Sequence, residues 1–328
     1  MIPQLSLLVT LVALVDRLPG PPPPPKRGRG RPKAYPDRVF RKALVVMIVR
    51  RLHKVHELLT VLDQPTAEMA QLRALLVLPD GRFPTRRTWE RRLAALPATL
   101  PTQIACLGRQ LVATLQPWAD CGRAVAIDST VLRAKGGVWH KKDREAGNVP
   151  HTSIDTAAHW TKSGWHGWVY GWKLHLVTTV AGVWLPLAAA LTPANEADNA
   201  VAALLLPQLP AEVRFVLGDQ HDNAPNVRAL CAQGDRILIA SRHGGYPHTD
   251  DGVEVRRVFH KLRSAAIENF NQQFQSIFDA HGPVPTRGLG NTRRFALGAV
   301  FVSQLLLWQR HEHGLALRVG LKPALKAA

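Results

Sequence analysis

Cysteine is scarce. The 328 residues hold three, Cys106, Cys121 and Cys231, far apart and without a CxxC pair. This excludes a disulfide scaffold and a zinc ribbon, and it fits a reducing compartment. Membrane-spanning apolar length is missing as well. The apolar N-terminal stretch Leu5–Val15 is too short for a bilayer. It lacks the basic start of a signal peptide, and no small-residue cleavage site precedes Asp16 and Arg17. It reads as a short helix packed on the protein, which implies no membrane partner and a cytoplasmic location. Acidic residues are few, 24 Asp and Glu against 42 Lys and Arg, for a net charge of +18. The first 120 residues carry 19 basic and 8 acidic side chains, the rest 23 and 16. A field of that sign attracts a polyanion without selecting a sequence. Codon bias toward Arg is the blander account of the same excess.

What is present divides the chain into segments. Residues 1–17 hold the short apolar helix. Residues 18–36 hold a polyproline run and then a Gly-Arg run, an extended linker because Pro lacks a backbone donor and Gly is costly to order. Residues 37–117 carry helical apolar spacing in four stretches (Asp37 to about Leu62, Thr66–Leu78, Arg86–Leu96 and Leu100–Leu115) with basic side chains between, a small basic helical region suited to DNA. From residue 118 to 312 the period changes. RAVAIDST reads as a buried strand ending at Asp128. Residues 172–180 and 183–191 read as a hairpin around Ala181-Gly182, and 214–220 and 236–241 as two further strands. Helices fall at 195–206, 224–232, 260–278 and from 293 to about 311, and 313–328 is a tail. This order predicts an α/β fold, a mixed five-strand sheet flanked by helices. By analogy it is ribonuclease H-like.

Three acids stand out by position. Asp128 and Asp219 each end an apolar strand, where an α/β sheet opens into a crevice. Glu268 lies on a helix whose apolar face includes Ile267, Phe270, Phe274 and Ile277. Ninety-one and 49 residues separate the three in turn, so only the fold could gather them. Carboxylates sharing one cleft repel unless a cation neutralises them, and hard oxygen ligands suit Mg²⁺ or Mn²⁺. Two such ions can activate a hydroxyl and stabilise the leaving oxygen at a phosphodiester. Taken singly, an Asp after a strand is commonly a turn residue and a helical Glu is commonly solvated.

The strings AIDST (126–130), GWKLHLVTT (171–179), LTPANEADN (191–199), VLGDQHD (216–222) and LRSAAIENFNQQFQSIFD (262–279) resemble DDE transposases of bacterial insertion sequences. The resemblance spans roughly residues 80 to 312. It implies Asp128, Asp219 and Glu268 as catalytic, metal-holding residues with two Mg²⁺ or Mn²⁺ ions. It also implies cleavage at transposon ends, strand transfer of the freed 3′-hydroxyl into target DNA, and a homodimer or higher oligomer pairing two ends of double-stranded DNA. A common form of the third motif has Tyr seven before the Glu, Arg four before and Lys seven after. Those positions here are Lys261, Ser264 and Gln275, with Arg263 one residue off. These departures motivate an alternative, a transposase-derived DNA-binding protein without catalysis, beside the leading reading of an active transposase.

Several basic groups are DNA-contact candidates. The string KRGRGRPK (26–33) resembles an AT-hook, with Arg29 and Arg31 suited to a narrow minor groove. Arg86, Arg87 and Arg91 surround Trp89 on a helix that could enter a major groove, or Trp89 is buried under a solvated basic face. The stretch 133–171 interleaves Trp139, Trp160, Trp165 and Trp168 with basic residues that include Lys141 and Lys142, a pattern for stacking on unpaired bases or for pinning a long loop. Lys173 on its strand and Lys261, Arg263 and Gln275 around the Glu268 helix complete the set. The histidines 140, 151, 159, 166 and 175 show no regular metal spacing, and no zinc site is assigned.

Overall fold

The computed structural model describes residues 6–18, 34–115, 122–164, 167–240, 252–278 and 280–317. Arg29, Arg31 and the rest of the Gly-Arg string lie outside them, as do Cys121 and Trp165. The first helix, α1 (Leu7–Leu14), starts where the Ser6 side chain accepts the Val9 N–H at 3.2 Å, and it buries Leu8, Leu11 and Val12. Next comes α2 (Asp37–Val49). The spacing predicts one helix on to about Leu62, but the chain turns at Arg50–Lys54 and resumes as α3 (Val55–Leu62). Arg51 sits in the left-handed region at φ 56°, and Glu57 caps the new start by accepting the His53 and Lys54 N–H groups at 2.7 and 3.0 Å. Then follow α4 (Ala67–Leu76), α5 (Arg86–Ala95), capped by Thr85, and α6 (Leu100–Leu115).

Trp89 is fully buried, with its ring 5.0 Å from Phe40 in edge contact and 5.6 Å from Phe83. The basic face of α5 therefore lies over an aromatic core. Trp89→Ala is expected to cost about 3–5 kcal/mol, the usual range for a buried aromatic that cannot be refilled. Denaturant unfolding measures this, and an unshifted midpoint would contradict the packing of α5 on α2.

The sheet begins with β1 (Ala124–Arg133). After the short α7 (Lys141–Glu145) come β2 (His159–Ser163), β3 (Gly167–Thr179), β4 (Pro186–Pro193), α8 (Asp198–Leu205), β5 (Phe215–Gly218), α9 (Pro225–Gln233), β6 (Ile237–Ala240), α10 (Gly252–Ile277) and α11 (Leu289–Glu312). The sheet has six strands where the sequence predicts five. The addition is β2, which pairs antiparallel with the first part of β3 (167–171), while β4 pairs with the rest (172–178). On its other side β3 runs antiparallel to β1, and β1, β5 and β6 run parallel. The order β4–β3–β1–β5–β6, with two antiparallel steps and then two parallel ones, is the ribonuclease H-like arrangement. Gly171 is required at the β1–β3 crossing, because a Cβ there would lie 2.0 Å from the Leu132 carbonyl oxygen.

One continuous apolar cluster joins the N-terminal helices, the sheet and α11. The buried Gln304 side chain on α11 ties three layers together, donating to the carbonyls of Ile104 on α6 and Pro186 on β4 at 2.9 and 2.8 Å. A second, smaller cluster sets Ala266 and Ile267 of α10 against Ala126 of β1 and Leu217 of β5. Among the described residues no helix is long and apolar enough to cross a membrane.

Candidate active site

Parallel pairing of β1 with β5 ends at Ala126 opposite Leu217. Asp128 and Asp219 lie two residues beyond that last pair: β5 ends at Gly218, whereas β1 does not end at Asp128 as its apolar run predicts but continues to Arg133, held by its ladder with β3. The two-residue step keeps each acid on the face of its strand that carries Ala126 and Leu217. Both carboxylates line one crevice, with Ile127, His175, Asp198, Leu205 and Asp222 as the other walls.

The Asp128 side chain is 28% exposed, and its Oδ1 accepts the Ser129 N–H at 2.8 Å. Its carboxyl is pushed up to about 6, first by burial and further by the nearby charges of Asp219 and Asp198, against the pull of Arg263 and the Ser129 N–H. Arg263 of α10 brings Nη2 to 3.4 Å from Asp128 Oδ2. That is ion-pair distance, longer than a good hydrogen bond, and the Arg263 Nε is buried without a partner.

Asp219 opens a tight turn. Its Oδ1 accepts the N–H groups of His221 and Asp222 at 2.6 and 3.1 Å, and Asp222 Oδ2 accepts the Asp219 N–H at 2.9 Å. Asp222, only 2% exposed, thus holds the Asp219 backbone from beneath. Gly218 makes room for this brace, since a Cβ there would stand 2.6 Å from the Asp222 Cβ. Burial, then the charge of Asp219, pushes the Asp222 carboxyl up to about 7. Asp198, the first residue of α8, is occupied differently. His175 Nδ1 and Lys173 Nζ lie 3.1 and 3.2 Å from its oxygens. Burial raises its pKa, but the hydrogen bonds from His175 and Ser129 and the Lys173 charge outweigh this and hold it well below the usual carboxylate range. Asp198 and Asp222 went unremarked in the sequence, where an acid in a helix first turn or in a GDQHD turn carries no distinguishing mark.

Glu268 does not line the crevice. It lies on α10 with its side chain exposed. Its neighbours fix where the helix runs. Ile267 packs against Ala126 and Leu217, and Gln275 Nε2 donates to Thr130 Oγ1 at 3.1 Å. These anchors fall on β1 two residues before Asp128 and two residues after it, so the α10 backbone at Glu268 passes alongside Asp128.

The candidate DNA contacts differ in availability. Arg87, Arg91, Lys142 and Lys261 are exposed. Arg86 pairs with Glu90 at 2.9 Å, and Lys141 lies 3.7 Å from Glu145. Lys173 is held inward by Asp198 and by the Glu196 carbonyl at 3.1 Å. Arg263 and Gln275 both face β1.

The donor set suits a hard divalent cation in kind. It is all carboxylate, and burial, with a smaller contribution from the neighbouring acids Asp219 and Asp198, disfavours the charged form of Asp128 in the absence of a cation. It falls short in number, because among the described residues no three His, Cys, Asp or Glu side chains converge closely enough to grip an ion. Asp128 and Asp219 fit as two ligands.

In this ribonuclease H-like sheet, the neighbouring parallel strands β1 and β5 are each followed, two residues past their last mutual pairing, by an acid. Residues 119–266, which take in the sheet and the first half of α10, are similar to the family model described as the transposase DDE domain. The match covers just under half of the chain and stops two residues short of Glu268. No curated protein matches. Among solved structures, the piggyBac transposase synaptic complex with hairpin DNA is similar at 8% identity, covering 97% of this chain and 75% of that one with a TM-score of 0.42. The Mos1 transposase paired-end complex with the left transposon end is similar at 15% identity, covering 90% and 83% with a TM-score of 0.24. Likeness at these scores adds nothing to the family match.

Proposed function

We propose that the protein is a DDE transposase that cuts DNA at transposon ends and joins the freed 3′-hydroxyl to target DNA, using Asp128, Asp219 and Glu268. One observation carries the reading. Two acids 91 residues apart stand side by side, each two residues past the last pairing of neighbouring parallel strands. Glu268 supplies the third carboxylate by turning its exposed side chain inward from α10, whose backbone already passes Asp128. Bound at Asp128 and Asp219, Mg²⁺ or Mn²⁺, two ions in the full site, would supply Lewis-acid polarisation of the phosphodiester and a more acidic attacking water. The protein's own groups do the positioning. Asp222 fixes the Asp219 turn, and the Arg263 guanidinium balances Asp128 and is placed to meet a DNA phosphate. The exposed Arg87, Arg91, Lys142 and Lys261 supply sequence-independent attraction to the duplex, and two copies pair the two transposon ends.

Asp219→Ala is expected to abolish Mg²⁺-dependent cleavage of DNA carrying the element's own ends, with binding changed by no more than about threefold, since the substitution removes no cation that touches phosphate. Full cleavage by this variant would refute the assignment. A second reading, a transposase-derived DNA binder without catalysis, is favoured by the outward Glu268 side chain and by Gln275 in place of a cation. Under that reading the unaltered protein binds the ends but cuts with neither Mg²⁺ nor Mn²⁺.

A further inference from the structure

The segment between β1 and β3 carries a second cleft, at the far end of β3 from the acids. His140, Lys141, Arg144, His159, Trp160 and Trp168 line it. Its tryptophans divide into two kinds. Trp139 and Trp160 pin the segment: the Trp139 Nε1 donates to the Asn148 carbonyl, the Trp160 Nε1 donates to the Trp139 carbonyl, both at 2.7 Å, and the Trp160 ring lies 5.4 Å from Tyr170. The Arg144 guanidinium sits 4.9 Å above the Trp139 ring, donates to the Ala158 carbonyl at 3.0 Å and bonds to His159, which keeps the cleft floor in shape. Trp168 does none of this. It is 68% exposed, more than any other large apolar side chain among the described residues. Packing does not explain an indole held open to water beside a built floor.

We propose that this cleft binds unpaired nucleotides of DNA, with Trp168 as the stacking face and Lys141, His140 and the neighbouring Lys162 drawing in the phosphates. Lys162 pairs with Trp168 across the β2–β3 ladder and is exposed, so the cation and the aromatic face stand side by side at the cleft mouth. An aromatic face flanked by cations is the chemistry that holds single strands without sequence preference, because every base has a π face and every link a charge. A purely apolar partner would gain nothing from the cationic rim.

Position narrows the role. Trp168 precedes Leu176, the β-ladder partner of Asp128, by eight residues of the same strand. At about 3.3 Å per residue the cleft lies roughly 26 Å from the acids, on the order of eight nucleotides at 3.4 Å each. That is too far for the nucleotide being cut, so the bound bases belong to a displaced or flanking strand.

The test uses the full chain and fluorescence anisotropy with labelled oligothymidylate, set against a duplex of equal length. Trp168→Ala should weaken single-strand binding about tenfold, within the range for loss of one stacking partner, and leave duplex binding within about twofold. Trp168→Phe should recover most of the loss. Unchanged single-strand affinity in Trp168→Ala overturns the proposal. So does an equal fall in single-strand and duplex binding, failure of the unaltered protein to bind the single strand, or a change confined to self-association. The proposal does not require cleavage chemistry. Asp219→Ala should bind the oligonucleotide like the unaltered protein, so a failure here and a failure of the transposase reading are seen separately.

Discussion

Glu268→Ala is expected to reduce metal-dependent cleavage on the order of a thousandfold or more, the scale for loss of an essential catalytic group, while Asp222→Asn stays within about tenfold of the unaltered protein. The pair is informative because Asp222 is the nearer acid. It lines the crevice, whereas the Glu268 side chain is exposed. Proximity is outweighed by occupation. Asp222 is 2% exposed, and its Oδ2 is committed to the Asp219 N–H at 2.9 Å. An asparagine carbonyl can accept that same bond, so the substitution keeps the brace and removes only charge. Glu268 has no ion pair or hydrogen bond among the described residues and supports no packing, which leaves its carboxylate available. Its replacement should cost little stability for the same reason. Cleavage of end-bearing DNA, with a gel-shift assay for binding, reads both variants. Loss in Asp222→Asn with retention in Glu268→Ala would move the third acid from α10 to the turn after β5.

The strands that carry Asp128 and Asp219 were legible because burial on both faces leaves continuous apolar runs, and those runs end at the acids. The sixth strand was not. HWTKS in β2 is half-buried and polar, so it offers neither an apolar run nor a clear alternation, and its partner β3 opens with exposed Gly167 and Trp168. The break between α2 and α3 was hidden for the opposite reason, since apolar positions continue on both sides of Arg51 and only the local conformation interrupts them. At the site, residue type and strand position point to Asp128 and Asp219. What they cannot carry is how the side chains are shared out. That Arg263 turns to Asp128, that Lys173 is held by Asp198 instead of facing DNA, and that Glu268 points outward are outcomes of packing between elements more than 20 residues apart in the chain. The tryptophans show the same division. Four looked alike in the sequence, and only contacts separate Trp139 and Trp160, which pin the segment, from Trp168, which is exposed.

Asp222→Asn should also stabilise the metal-free protein, by little near pH 4 and by up to about 4 kcal/mol at pH 8. The sign follows from the direction of the shift. Burial, and then the charge of Asp219, raises the Asp222 carboxyl from 3.8 to about 7 in the folded chain. Between those values the folded state keeps a proton that the unfolded state has released, so stability falls as pH rises through the window. Below pH 4 both states hold the proton and the acid costs nothing. Above pH 7 the full difference applies, and about three pKa units at 1.36 kcal/mol each give the figure. An amide does not titrate, so the variant escapes the loss while keeping the bond to the Asp219 backbone. Unfolding midpoints in the presence of a chelator at pH 4, 6 and 8 measure the widening gap, and added Mg²⁺ should narrow it by offsetting the same negative charge in the unaltered protein. Under the proposed function, a buried acid that destabilises the metal-free crevice is what a site kept for cation binding would retain, since the fold alone would be better served by the amide. A gap that stays flat from pH 4 to pH 8 would contradict a protonated Asp222 in the native crevice and, with it, the like-charge crowding that makes a cation welcome there.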